Sequence, residues 1–172
     1  MIYLGIALGA VTLGLIWWNL TLDALWQPTD RVTVRRILSL AGVKRGETVV
    51  DLGCGDGRIV VAAAREFGAR AVGVEIDPFR ALWGKTWIRL AGLSDRARIV
   101  WGNMYKFDIS QADIVVLFLS GKANKKLEGK LASELRPEAR VVSYFHPLHG
   151  FTPTEIRKTR GGYPLFLYRM EG

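Results

Sequence analysis

The chain has 172 residues, of which 49% are hydrophobic and 23% are charged, and it carries a net charge of +8. This composition excludes a disordered chain, the length suits one domain with a buried core, and a single cysteine excludes a disulfide framework. The positive charge suits an anionic partner such as nucleic acid, anionic lipid or an acidic protein, and equally a solvated surface that binds nothing.

The first 22 residues contain no charged side chain. An apolar helix of about 20 residues can cross the hydrocarbon core of a bilayer, and Trp17 and Trp18 near its end suit the headgroup region. We therefore predict a transmembrane helix over residues 1–22 and a juxtamembrane connector over residues 23–30. A signal peptide and a buried core helix are the alternatives, although no basic residue precedes the apolar run and no small-residue cleavage site follows it.

Basic residues follow the apolar segment closely and none precedes it. They are Arg31, Arg35, Arg36, Lys44 and Arg45. Because basic residues favour the cytoplasmic side of a membrane, we expect a single-pass membrane protein whose domain, over residues 31–172, faces the cytoplasm.

Helical and strand patterns alternate through this domain, which predicts an α/β fold with a largely parallel sheet. Helices are expected after Thr29 or Asp30, over residues 58–67, after Asp77, and over residues 122–135. Strands are expected over residues 47–52, 71–75, 98–101, 112–119, 139–145, 154–159 and 163–169.

The sequence also predicts the connection of the last two strands and the buried face of one helix. Gly161-Gly162 indicates a two-residue hairpin between the last two strands, which would then be antiparallel. The helix after Asp77 has an apolar stripe that we expect to face the core. This stripe consists of Phe79, Leu82, Trp83, Trp87 and Leu90.

A glycine-rich turn follows the first strand. Asp51 precedes it, and Gly53, Gly55 and Gly57 alternate within it around Asp56. A dinucleotide-binding turn requires a glycine at position 58, where this chain has arginine. Carboxylates at Asp51 and Asp56 would repel a pyrophosphate and suit a cofactor with a cationic amino group and a sulfonium, which indicates S-adenosylmethionine. Glu75, at the end of the second strand, is placed to accept hydrogen bonds from ribose hydroxyls.

These residues resemble the class I, seven-β-strand methyltransferases, with Asp51–Arg58 similar to their first motif and Glu75 to the acid of their second. Further segments resemble the archaeal broad-specificity protein-lysine methyltransferase and its membrane-anchored mitochondrial relatives. These segments are Pro28-Thr29 and residues 102–110, 118–120, 130–137 and 140–143. The resemblance implies a Rossmann-like seven-stranded sheet, mostly parallel with an antiparallel C-terminal hairpin.

The resemblance also implies roles for individual residues. Asp51, Gly53, Gly55 and Gly57 would line the methionine part of the cofactor. Glu75 and Ile76 would hold the ribose, and Asn103 and Met104 would flank the adenine. Phe118, Leu119 and Ser120 would form the rim through which an acceptor lysine approaches.

Other polar and aromatic residues are open to two interpretations. Tyr144 and Phe145 are either part of an apolar acceptor channel or ordinary core residues. His146 and His149 lack the further ligands that a metal site needs, so we predict no metal. Lysines of the fourth helix form either a solvated face or a contact for anionic headgroups. They are Lys122, Lys125, Lys126 and Lys130.

The sequence therefore predicts a methyltransferase that modifies a protein lysine at or near a membrane. A small amphiphile such as a quinone or lipid is an alternative acceptor. A tRNA or rRNA is a further alternative that the charge supports and the apolar N-terminal segment disfavours.

Overall fold

In a computed structural model, residues 28–171 form a layered α/β domain. The helices are α1 (Arg31–Leu40), α2 (Arg58–Glu66), α3 (Pro78–Leu90) and α4 (Gly121–Glu134). The strands are β1 (Thr48–Leu52), β2 (Arg70–Glu75), β3 (Ala97–Trp101), β4 (Ile114–Leu117), β5 (Arg140–Tyr144), β6 (Glu155–Lys158) and β7 (Pro164–Arg169).

The predicted transmembrane helix over residues 1–22 lies outside the described residues, as does most of the connector. Within residues 28–171, no helix has the length and apolar character needed to cross a membrane.

The seven strands form one sheet in the order β3-β2-β1-β4-β5-β7-β6. The first five strands are parallel, and β7 runs antiparallel to both β5 and β6. This arrangement confirms the predicted mostly parallel sheet with an antiparallel C-terminal hairpin. It also brings the carboxyl ends of β1 to β5 to one edge, where ligands bind in folds of this kind.

Hydrophobic cores lie on both faces of the sheet. Helices α1, α2 and α3 cover one face, and α4 covers the other with Leu127 and Leu131. The whole of β4 is buried, as expected for a central strand between two helical layers.

Asp30 is the N-cap of α1, and its side chain accepts hydrogen bonds from the backbone N–H groups of Val32 and Thr33. Such a cap stabilises a helix by about 1 kcal/mol. Thr29 is buried, and its carbonyl accepts a hydrogen bond from the Arg58 guanidinium. Of the two predicted caps, Asp30 is therefore the one used, and Thr29 fastens the chain to the start of α2.

The last hairpin is confirmed, but its loop is longer than predicted. The Thr159 N–H donates to the Tyr163 carbonyl at 2.8 Å, and the Gly162 N–H donates to the Thr159 carbonyl at 3.0 Å. Gly162 has a φ of 82°. A turn that ends in a left-handed glycine makes a three-residue hairpin loop, so the prediction of two residues was wrong.

The predicted inward direction of the apolar stripe on α3 was also wrong. Phe79, Leu82, Trp83 and Leu90 are exposed, and Trp87 is half-buried against the core. The inner face consists of Ala81, Gly84 and Ile88. A Cβ on Gly84 would lie 3.1 Å from Ile99 Cγ1 and 3.2 Å from the Asp56 carbonyl oxygen. The helix therefore approaches the sheet too closely at Gly84 for any larger side chain there, and the large apolar residues Phe79, Leu82, Trp83 and Leu90 point outward.

Candidate active site

The glycine-rich turn between β1 and α2 has three residues in left-handed backbone conformations. Gly53, Gly55 and Gly57 have φ values of 79°, 56° and 81°. The N–H groups of Gly53 and Cys54 both donate to the Val74 carbonyl of β2. Because side chains rarely tolerate this conformation, the turn presents bare backbone at the carboxyl edge of the sheet.

Three segments converge on Gly53. A Cβ at this position would lie 2.8 Å from Leu119 Cδ2 and 3.9 Å from Met104 Sδ. Leu119 follows β4, and Met104 follows β3. The bare backbone at Gly53 therefore lies close to the residues that follow β3 and β4. The sequence assigned Gly53, Met104 and Leu119 to one site, and the structure brings them together.

Glu75 ends β2 and is buried. Its Oε2 accepts the Gly55 N–H at 2.8 Å, and its Oε1 accepts the Asp77 N–H at 2.9 Å. The carboxylate thus ties the glycine turn to the first residues of α3. Each oxygen retains a further lone pair, so Glu75 can also accept hydrogen bonds from a ligand.

Asp51 is the most unusual ionisable group of the site. It is only 2% exposed, and its Oδ2 has no hydrogen-bond partner among residues 28–171. Burial, together with the nearby charges of Glu75 and Asp56, raises the pKa of Asp51 to about 8. A buried carboxyl without a partner is costly, and a cationic ligand that lies against it would compensate this cost.

Asp56 is engaged differently. Its carboxylate forms an ion pair with Arg58, and both groups are largely shielded from solvent. The pair raises the pKa of the Arg58 guanidinium. Arg58 also donates to the Thr29 carbonyl, so Asp56 helps to fasten α1 to the glycine turn and contributes negative charge to the site indirectly.

The remaining predicted cofactor residues lie along the ends of β2 and β3. Ile76 follows Glu75, and its carbonyl accepts a hydrogen bond from Trp101 Nε1 at 3.0 Å. Asn103 Oδ1 accepts the Tyr105 N–H at 2.9 Å. The structure therefore brings the predicted cofactor residues to one edge of the sheet and leaves Ile76 and Asn103 exposed there.

The predicted acceptor residues lie at the end of β4. Phe118 is half-buried, and Leu119 is buried behind Gly53. Ser120 is the N-cap of α4, where its hydroxyl accepts the Ala123 N–H at 3.2 Å. Of these three residues, Ser120 has an evident structural function in addition to its position at the edge.

Four aromatic rings surround this position, and we call them the aromatic cluster: Phe118, Tyr144, Phe145 and Tyr163. Ring centroids of Phe118 and Tyr144 are 4.5 Å apart, those of Tyr144 and Tyr163 are 6.4 Å apart, and those of Phe145 and Tyr163 are 5.3 Å apart. Phe145 is 43% exposed and Tyr163 is 50% exposed. Burial raises the pKa of the Tyr144 hydroxyl.

Sequence reasoning missed Tyr163. No local motif marks it, and only its place just before β7, which pairs with β5, brings it beside Tyr144. The predicted antiparallel hairpin could have indicated this contact, because an antiparallel β7 beside β5 places the start of β7 next to the end of β5.

Phe145 has a φ of 75°, which is unusual for an aromatic residue and ends β5. The turn that follows is held by the His146 carbonyl, which accepts the Ser143 hydroxyl at 2.6 Å and the Asn124 amide at 2.9 Å. Such a conformation costs on the order of 1–3 kcal/mol and persists where neighbouring contacts enforce it. Here it turns the Phe145 ring toward Tyr163 at the edge of the sheet.

The histidines and lysines singled out in the sequence have ordinary surroundings. Within residues 28–171, no group of three histidine, cysteine or acidic side chains is arranged to hold a metal ion. Lys125 pairs with Glu128 and Lys130 pairs with Glu134, each at 2.7 Å. The lysines of α4 are thus partly neutralised on their own helix, which favours a solvated face over a headgroup contact.

Comparison with known proteins gives matches over most of the domain. The family profile of the ANTKMT methyltransferase domain matches residues 51–155. A protein-lysine N-methyltransferase of Saccharolobus islandicus is 42% identical over 145 residues, which is 82% of this chain and 90% of that protein. The adenine nucleotide translocase lysine N-methyltransferase of Mus musculus is 36% identical over 72% of this chain. The matched region is only 53% of the length of that mouse relative.

Among solved structures, an RNA methyltransferase from Salinibacter ruber in complex with S-adenosyl-L-homocysteine has a TM-score of 0.81 and 35% sequence identity. The similarity covers 84% of this chain and 94% of the other. The three relatives named here are all methyltransferases, and their names differ in the acceptor.

Proposed function

The chain belongs to the ANTKMT methyltransferase domain family and is an S-adenosylmethionine-dependent methyltransferase. We propose that its acceptor is the side-chain amine of a protein lysine. The main observation behind the proposal is the aromatic cluster, which lies at the carboxyl ends of β4 and β5, on the same edge of the sheet as the glycine turn. The name of the Saccharolobus relative, which is 42% identical, supports the same acceptor.

We assign the cofactor site to the residues at the ends of β1, β2 and β3. The unpartnered Asp51 carboxyl fits the cationic amino group of the methionine part, and Glu75 fits the ribose hydroxyls. Ile76 would join Glu75 at the ribose, and Asn103 and Met104 would flank the adenine. When bound, S-adenosylmethionine supplies an electrophilic methyl group on a sulfonium.

The chain's own residues have two tasks in this proposal. The glycine turn and Asp51 orient the cofactor, and the aromatic cluster positions the acceptor and excludes water. A lysine amine has a pKa near 10.4 and attacks only when it is neutral. Aromatic surroundings with little water lower that pKa, while the half-exposed ring of Tyr163 can contact the ammonium form before the lysine side chain enters these surroundings and loses its proton to water.

A nucleic-acid acceptor is the second candidate. A surface cavity of about 360 Å³ between α1 and β6 is lined by Arg35, Arg36, Arg157 and Lys158, together with apolar side chains. Clustered cations of this kind suit phosphates. Arg35 and Arg157 already pair with Glu66 and Glu155, which weakens the cavity as an anion site.

We further propose that residues 1–22 span a membrane and that the domain lies on its cytoplasmic side. The uncharged length of this segment and the basic residues that follow it support this orientation. A domain held at the bilayer would meet membrane-embedded or membrane-bound proteins as its acceptors.

Transfer of a labelled methyl group tests the acceptor. Full-length protein is incubated with membranes and S-adenosyl[methyl-³H]methionine, and label is then counted in protein, organic extract and nucleic acid. We expect label in protein that is recovered as methyllysine after hydrolysis, and loss of that label with Asp51→Asn. Asp95→Asn, an exposed acid that pairs with Arg96, is the matched control and retains the label. Label in the organic extract or in nuclease-sensitive material would overturn the lysine proposal.

A further inference from the structure

The outward-facing side of α3 is apolar. Phe79, Leu82, Trp83 and Leu90 are 70%, 63%, 67% and 82% exposed. With 3.6 residues per turn, these four positions fall within an arc of about 100° opposite the buried face of the helix. We call them the α3 outer face. Large exposed apolar patches on a soluble domain usually mark a contact with another molecule.

Basic residues flank this patch on both sides. Arg80 falls on one flank of the helix, and Lys85 and Arg89 fall on the other. The helix contains no acidic residue. An apolar face that contains tryptophan, phenylalanine and leucine between basic flanks is typical of helices that lie in the headgroup region of a membrane.

Contacts connect α3 to Thr29, near the start of the described residues. Gly84 packs against the Asp56 backbone, and Asp56 pairs with Arg58. Arg58 in turn donates to the Thr29 carbonyl, so these contacts link the start of the described domain to the inner face of α3. The 27 residues before Pro28 include the uncharged stretch over residues 1–22.

We propose that the α3 outer face lies in the headgroup region of an anionic lipid bilayer, the membrane that residues 1–22 are proposed above to span. This inference rests on the membrane anchoring proposed above and is independent of the acceptor. Burial of the four side chains beneath the headgroups removes their apolar surface from water, and the flanking cations meet anionic phosphates.

Two other occupants fit the patch less well. Residues 1–22 are apolar all round, so packing them against α3 would leave most of their surface in water. A second copy related by a twofold axis would bring two helices together, each with three cations and no acid, and their repulsion opposes such a contact.

A nitroxide label on the full-length chain tests the contact. Cys54 is buried and its burial raises the pKa of its thiol, so it reacts slowly and an introduced cysteine is labelled selectively. The test position is Leu82→Cys. The matched control is Ile156→Cys, which is 56% exposed on β6 at the opposite edge of the sheet. Unchanged cofactor affinity of both labelled variants reports that they are folded.

Collision of the label with lipid-soluble oxygen and with a water-soluble nickel complex is measured on phosphatidylcholine vesicles with and without phosphatidylglycerol. We expect the label at position 82 to become accessible to oxygen and shielded from nickel on anionic vesicles, while the label at position 156 stays aqueous. Lys85→Gln and Arg89→Gln are each expected to lower the ratio of lipid-exposed to aqueous label by about fivefold.

Three results would overturn the contact. A label at position 82 that is as accessible to nickel as the label at position 156, on vesicles that carry the protein, would leave the anchor intact and remove the α3 contact. Shielding from both oxygen and nickel would show that protein covers the patch, and spin–spin broadening would identify a second copy. Failure of the chain to sediment with vesicles would remove the anchor and the contact together, while the methyl-transfer assay reports separately on the acceptor.

Discussion

Glu75 Oε2 accepts the backbone N–H of Gly55 at 2.8 Å, and its other oxygen accepts the N–H of Asp77. A single buried carboxylate therefore sets the distance between the glycine turn and the start of α3. Two backbone donors already fix the position of the Glu75 carboxylate. A ligand that also bonds to Glu75 therefore binds with little loss of conformational entropy in this side chain.

Glu75→Gln tests this arrangement. A glutamine amide has only one oxygen, so one of the two backbone N–H groups would face an NH₂ donor. We expect cofactor affinity to fall by roughly 10-fold to 100-fold, as for loss of a buried charged hydrogen bond. Calorimetric titration with S-adenosylhomocysteine measures it. Glu66→Gln, at the surface pair with Arg35, is the control, and equal affinities for the two variants would refute the role of Glu75.

Asp51 makes stability depend on pH in a direction opposite to that of an ordinary paired acid. Its pKa is raised from 3.8 to about 8, so between pH 4 and pH 8 the unfolded carboxyl is ionised while the native carboxyl keeps its proton. The free energy of unfolding therefore falls as pH rises through this window and levels off above pH 8.

Asp51→Asn removes this penalty. We expect the cofactor-free variant to be more stable than the parent by an amount that grows from pH 5 to pH 8 and reaches a few kcal/mol. Thermal unfolding in detergent at the two pH values measures it, with Asp95→Asn as the exposed control. A gain of the same size at both pH values would show that Asp51 is not protonated in the native state.

The raised pKa of Asp51 also implies that cofactor binding releases a proton. If the cationic amino group pairs with ionised Asp51, binding at pH 7 displaces the proton that the free carboxyl holds. We expect release of up to about one proton per cofactor, measured by calorimetry in two buffers that differ in ionisation enthalpy. Asp51→Asn should release none. Heats that do not depend on the buffer in the parent protein would contradict the pairing.

Local sequence signals predicted most of the fold. Asp30 and Asp77 as caps, the left-handed glycines after β1 and the continuous apolar run of β4 each act within a few residues, so the elements they define were predicted near their observed ends. The convergence of Asp51, Gly53 and Glu75 also followed, because the carboxyl ends of parallel strands meet at one edge.

Tertiary contacts decided the features that were missed. The stripe of α3 has helical spacing, but spacing does not indicate which face is inward, and the small residues Ala81 and Gly84 set the inward face through the close approach to Ile99. Tyr163 joined the aromatic cluster only through the return of the last hairpin.

Tyr163→Ala separates acceptor binding from cofactor binding. Its ring is half exposed and contacts Tyr144 and Phe145, while none of its ring contacts reaches the glycine turn. We expect kcat/KM for the protein acceptor to fall by about tenfold, because the variant loses one cation–π contact with the lysine and two aromatic pairs within the cluster, with cofactor affinity unchanged. Tyr163→Phe, which keeps the ring, should retain the activity. An equal loss in both variants would assign the effect to the hydroxyl.

Substitutions of Phe145 separate the strain of the backbone from the function of the ring. Both Phe145→Ala and Phe145→Gly remove the ring, but only glycine adopts a φ of 75° without strain. We expect the glycine variant to be more stable than the alanine variant by about 1 kcal/mol. Both should show the same loss of kcat/KM for the acceptor, because both lack the ring that faces Tyr163. Thermal unfolding and acceptor kinetics measured side by side test this. If kcat/KM for the acceptor is instead higher in the more stable glycine variant than in the alanine variant, the backbone turn at position 145 would account for the effect on activity, and the Phe145 ring would have no function in acceptor binding.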